Sequence, residues 1–134
     1  MTGFLRSQSL LKLALLGDAA ASGATGLLLV GGARVLTNLL GLPKNLLLDA
    51  GLFLIPYAAF VAFIGTRPAI PRGAVWLIIA ANALWSIKSI ALLDTGWVSP
   101  TALGIAFILF QALVVMGFAI AQFVGLRRER FAAA

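Results

Sequence analysis

The apolar residues of this chain do not alternate with polar ones. They gather into four long runs, residues 10–32, 46–66, 74–93 and 101–126, each bounded by charge, proline or glycine. A helix needs roughly 20 residues to cross about 30 Å of hydrocarbon, and every run meets that length. The runs are continuous and about twice as long as a barrel strand, so helices rather than strands are implied. The pattern predicts an all-α fold, a four-helix transmembrane bundle in one domain covering residues 1–134, with no internal repeat and no low-complexity tract.

The connections carry patterns of their own. In residues 34–41, Val35, Leu36, Leu39 and Leu40 share one helical face while Arg34, Thr37 and Asn38 share the other, and Gly41 and Pro43 end the turn. A short interfacial helix between the first two spans fits this arrangement, with an extension of the first span as the alternative. The loop Arg67-Pro68-Ala69-Ile70-Pro71-Arg72 is short and stiffened by its prolines, which predicts that the second and third spans are antiparallel neighbours.

Composition agrees with a membrane solvent. Hydrophobic residues make up 62% of 134 residues and charged ones 10%, more apolar surface than a water-soluble fold of this length can bury. Cysteine and histidine are both absent. Their absence removes thiolate clusters, histidine-held haem, tetrahedral zinc sites and histidine-based triads, and neither a cofactor nor a metal is expected. A secretory signal is the competing reading of the start, since Arg6 and Lys12 precede a leucine run and small residues. The apolar core from Leu13 to Leu16 is too short for one and Asp18 interrupts it, so the segment reads as a retained helix.

The charges assign an orientation. Arg6, Lys12, Arg67, Arg72, Arg127, Arg128 and Arg130 fall on one side of the four spans, against Arg34 and Lys44 in the opposite connections. By the positive-inside rule both termini are expected in the cytoplasm, in a multi-pass protein of the cell inner membrane. The same asymmetry accounts for the net charge of +6. No aromatic residues interleave with the charges, so no nucleic-acid partner is expected.

Small residues recur at helical spacing where helices could approach closely. Gly117, Ala121 and Gly125 do so on the fourth span, Gly23 and Gly26 follow Ala19 and Ser22 on the first, and Ala58 and Ala62 lie on the second. These stripes serve either the bundle itself or a dimer.

Polar groups inside the spans are the informative residues, because each is costly in hydrocarbon unless partnered. Asp18, Tyr57 and Asn82 lie eight, nine and eight residues from the same side. At about 1.5 Å per residue they share a layer roughly 12–14 Å deep. Trp85 and Ser86 lie on the same side of the third helix as Asn82, so a small pocket is a further expectation. Gln122 falls closer to the cytoplasmic side and Gln111 in the outer half, outside that layer. Two uses of the layer stay open: mutual hydrogen bonding as a structural device, or an ion site in which Asp18 takes up and releases a proton or cation. Asp49 and Lys88, at similar depth near the outer ends of the second and third spans, form a candidate ion pair. A capping role for Asp49 and a snorkelling one for Lys88 are the alternatives.

In general plan the chain resembles the small multidrug resistance transporters, which have four short helices, an acidic residue in the first and aromatic residues in the third, here Asp18 and Trp85. It departs from them in carrying aspartate for glutamate, an added segment between the first two spans, and no Gly-rich signature around the third helix. It also resembles uncharacterised four-helix proteins of bacterial inner membranes through Asp18-Ala19-Ala20-Ala21-Ser22-Gly23, Leu40-Gly41-Leu42-Pro43, Pro56-Tyr57-Ala58, Asn82-Ala83-Leu84-Trp85 and Gly125-Leu126-Arg127-Arg128. That likeness covers nearly the whole chain and implies no particular activity.

The expectation from sequence is a non-catalytic integral membrane protein, an accessory or scaffold subunit of a membrane complex or homo-oligomer. Its partners would be the lipid bilayer and either a membrane protein or further copies of itself. The alternative is a proton- or cation-coupled small transporter or channel using Asp18. An enzyme is not expected, since Asp18, Asp49, Tyr57 and Lys88 are the only acid–base candidates and no nucleophile is paired with a base.

Overall fold

In the computed structural model the backbone is described for residues 2–133 and the side chains for residues 10–128, so the side chains of Arg6 and Arg130 lie outside the described residues. The chain forms α1 (Thr2–Gly31), α2 (Ala33–Leu40), α3 (Lys44–Gly65), α4 (Arg72–Leu92) and α5 (Ala102–Ala133). Four of these are long and apolar enough to cross a membrane, over Leu10–Gly31, Lys44–Gly65, Arg72–Leu92 and Ala102–Arg128. The protein is therefore a multi-pass membrane bundle, with span limits within two residues of those read from the sequence.

Local chemistry explains where the helices begin and end. Pro43 and Pro71 directly precede α3 and α4, and their carbonyls accept the first helical bonds, from Leu47 N and Val75 N at 3.2 Å each. Proline suits these positions because its fixed φ feeds a helix and its missing N–H costs nothing there. Gly41 ends α2 with φ 67°, the left-handed conformation that glycine adopts without Cβ strain. Thr101 caps α5: its Oγ1 accepts from Gly104 N at 3.1 Å and donates to Leu39 O at 2.7 Å. That donation ties the start of α5 to the end of α2, so the short helix sits as a separate element across one end of the bundle.

The order of packing differs from the sequence expectation. α1 packs against both α3 and α5, and α5 packs in turn against α4, whereas α3 and α4 barely touch. The tight proline loop does bring the adjoining ends of α3 and α4 together, over Val61, Ile64, Ile70, Val75 and Ile78. Beyond Tyr57 and Asn82 the two helices separate. The physical reason lies in which residues face which neighbour. The small residues of α3 face α1, where a Cβ on Gly51 would stand 2.8 Å from Gly26 O and 3.1 Å from Leu29 Cβ. Toward α4, α3 instead presents Phe53, which stacks on Trp85 at 5.7 Å between ring centroids with the planes 10° apart. Two large rings hold backbones apart where paired glycines let them meet.

Two apolar clusters fill the bundle. One, at the end carrying the chain termini, contains Leu11, Leu15, Val61, Ile64, Val75, Ile78 and Leu126. The other, at the far end, contains Leu29, Leu40, Leu47, Leu54 and Ile108. The buried polar residues Asp18, Ser22, Asn82, Ser86 and Gln122 lie on the spans beside them.

Candidate functional site

Asp18 is 1% exposed, and its carboxyl is surrounded by donors from all four spanning helices. Ser22, one turn along α1, donates from Oγ to Oδ1 at 3.0 Å. Three groups converge on Oδ2: Asn82 Nδ2 of α4 at 2.8 Å, Gln122 Nε2 of α5 at 2.9 Å, and the Tyr57 hydroxyl of α3 at 3.1 Å. Asn82 Nδ2 also lies 3.1 Å from Gln122 Oε1, and the Tyr57 hydroxyl lies 2.7 Å from Asn82 Oδ1.

Side-chain direction explains the convergence. In a helix the Cα–Cβ bond leans toward the N-terminus, so side chains on antiparallel helices lean in opposite directions along the membrane normal, and residues whose Cα atoms are staggered in depth can meet. α1 and α4 run away from the terminal end and α3 and α5 return to it. Asp18 and Asn82 therefore lean one way, and Tyr57 and Gln122 the other. Counting residues from span ends omits this lean, which is why Gln122 falls outside the expected layer yet is completely buried within it. A correction for the lean brings Gln122 closer to the layer in depth, but only the rotation of α5 turns it inward.

Not every expected member joins. Ser86 is buried, but its Oγ donates to Ala112 O at 3.0 Å and fastens α4 to α5. Trp85 donates from Nε1 to Gln111 Oε1 at 2.8 Å, a second polar contact between the same helices. Of the glycines expected at packing surfaces, Gly23 lies against Ala58, Gly26 against Gly51 and Leu54, and Gly125 against the Leu11 backbone. Ala121 is half-buried, and Gly117 has no atom within 4 Å of an added Cβ, so it contributes to no helix crossing in the chain. Among the described residues no ion pair joins Asp49 to Lys88. Both are exposed, and the splaying of α3 from α4 removes the proximity on which the pairing depended.

That splaying opens a cavity of about 650 Å³ in the far half of the bundle, between α3 and α4 and floored by α1 and α5. Its walls are mostly apolar, with Phe53 and Trp85 at the inner end and Lys88 and Trp97 among the lining. Beneath it a smaller space of about 20 Å³ is lined by Ser22, Tyr57 and Asn82, all partners of Asp18. Phe53, Leu54, Ala81 and Trp85 line both spaces. The lower one holds about one water molecule. The stacked Phe53–Trp85 pair thus stands between a lipid-accessible cleft and a buried carboxyl.

The Tyr57 hydroxyl has two acceptors within reach, Asp18 Oδ2 and, at the shorter distance, Asn82 Oδ1. Rotation about its C–O bond turns the phenolic hydrogen from one to the other. Pro56, adjoining Tyr57 in α3, supplies no N–H to the helical ladder at this level. The donor hydrogens aimed at both carboxyl oxygens leave little room for a metal ion, which needs oxygens aimed at it, and among the described residues no acidic cluster accompanies Asp18.

Comparison with known proteins gives no match to a family model, a curated protein or a solved structure.

Proposed function

We propose that this chain is a small proton-coupled carrier of a lipophilic substrate in the cell inner membrane, with both termini in the cytoplasm. The observation that supports it is the adjacency of the cleft between α3 and α4 to the buried Asp18 carboxyl, through residues that line both spaces. Substrate enters from the bilayer through the opening between the helices, and Asp18 carries the coupling proton. No catalysis is involved.

Reconstituted liposomes containing a pH-sensitive dye test this reading. With ethidium or tetraphenylborate supplied as lipophilic ions of opposite sign, wild type should collapse an imposed pH gradient faster than protein-free liposomes, and Asp18→Asn should match the protein-free rate. Wild type no faster than protein-free liposomes with either ion would overturn it.

One observation favours the other reading, a non-catalytic accessory or scaffold subunit of a membrane complex or homo-oligomer: both oxygens of Asp18 already have donors within the chain. Gentle purification from native membrane followed by mass spectrometry separates the two. A stoichiometric companion protein supports the subunit, and recovery alone or as a homo-oligomer supports the carrier.

A further inference from the structure

Of the twenty residues around the cleft, none is acidic and one, Lys88, is cationic. Four of its other polar side chains are occupied, while the Thr25 hydroxyl and the Trp97 indole, both uncharged, have no partner among the described residues. Trp85 Nε1 donates to Gln111, Gln111 Nε2 donates to Ile108 O at 2.9 Å, Ser89 Oγ donates to Trp85 O at 2.7 Å, and Thr95 Oγ1 donates to Leu92 O at 2.8 Å. Among the described residues Lys88 Nζ has neither a hydrogen bond nor an ion pair. An ammonium without a counter-ion on an apolar wall in the membrane selects an anion. Its position on α4, four residues before Leu92, sets that anion near the far interface, with the apolar space extending inward to Phe53 and Trp85.

The single charge restricts the occupant further. A single lysine is a point charge suited to one monoanion, whereas phosphate groups are more often met by an arginine fork or several donors. The geometry points to a long-chain carboxylate, a free fatty acid from the far leaflet, as the ligand of this cleft, with its head at Lys88 and its chain against Phe53, Trp85, Phe107 and Ile108. The inference deepens the carrier reading and rests on it for the role of the site, but binding is measured without any flux, so each can fail alone.

The full chain in a neutral maltoside detergent is titrated with dibromostearate, whose bromines quench tryptophan on contact, and in parallel with its uncharged methyl ester. The acid should quench saturably, and replacing both cleft tryptophans, Trp85→Phe with Trp97→Phe, should remove most of the quenching, since the remaining Trp76 packs against Phe123 away from the cleft. Lys88→Gln should weaken acid binding at least tenfold, to the level of the ester, while Lys88→Arg stays within about threefold of wild type. Unlabelled oleate should displace the probe at lower concentration than a lysophospholipid of equal chain length. Equal affinity of wild type for acid and ester, or unchanged affinity in Lys88→Gln, would overturn the assignment and leave the cleft a seat for lipid chains in general. Stronger displacement by the lysophospholipid would overturn the carboxylate in favour of a phosphate head. Because Lys88 is exposed and unpaired, its replacement threatens folding little, and an unchanged quench by the ester serves as the check.

Discussion

Gln122 on α5 donates to Asp18 on α1 at 2.9 Å, a hydrogen bond between residues 104 positions apart that joins the first and last spans inside the membrane. It completes a network in which every spanning helix contributes a side chain to one carboxyl. Interhelical hydrogen bonds in membranes contribute about 0.6 kcal/mol each on average, with a maximum near 1.7.

Asp18→Asn should keep stability within about 1 kcal/mol of wild type, because an amide oxygen can replace Oδ2 and the amide nitrogen can donate to the Ser22 hydroxyl. Asp18→Leu should lose about 2 kcal/mol or more, since three donors then lack their acceptor. Thermal unfolding in detergent compares the two. A leucine variant as stable as wild type would remove the network from the account of the fold.

The link between Asp18 and Gln122 is measurable by itself. A double-mutant cycle of Asp18→Asn and Gln122→Leu should return a coupling energy of about 0.5–1.5 kcal/mol. Additive effects would mean that the two groups do not interact in the membrane.

For Asp49 and Lys88 the expected result is the reverse. A cycle of Asp49→Asn and Lys88→Met, read as thermal stability, should give no coupling within about 0.3–0.5 kcal/mol. A clear favourable coupling would bring α3 and α4 closer in the far half than the open cleft allows.

Glycine substitutions report on the helix crossings. Gly51→Val should lose about 1–3 kcal/mol, because even a single added carbon meets the Gly26 carbonyl and Val30 Cγ2 at 2.8 and 2.7 Å. Gly117→Val should change the stability of the single chain by about 0.5 kcal/mol or less, since open space surrounds that position. Melting temperatures of both variants in one detergent provide the check; a destabilised Gly117→Val would indicate a contact outside the single chain.

Orientation is tested with fusions. A reporter active only in the cytoplasm should give signal after Phe131 and none after Gly96, the outcome that the positive-inside rule predicts from the basic residues near the terminal end. Arg67 over the Phe63 ring at 5.0 Å and Arg127 over Phe123 at 5.7 Å would then anchor the cytoplasmic interface. The opposite pattern of signal inverts the protein in the membrane.

The number of spans, their limits, the turn at Gly41 and Pro43, and the common depth of Asp18, Tyr57 and Asn82 were all determined by the sequence alone. These properties are one-dimensional: the length of an apolar run, the conformational limits of glycine and proline, and a fixed rise per residue specify them without reference to a neighbour. The tertiary structure decided the order of the helices and their rotation about their own axes, and through these the inclusion of Gln122, the diversion of Ser86 to α5, the separation of Asp49 from Lys88 and the open side of Gly117. A span that is apolar all round does not mark which face is inward, because lipid chains accept leucine as readily as a protein core does. Leu13 is 70% exposed and Leu15 fully buried, two turns or less from the same carboxyl, and their sequence positions alone do not distinguish them. Only the fit of Gly26 to Gly51, of Gly125 to Leu11, and of Phe53 to Trp85 selects the rotation, and each fit needs both helices present at once.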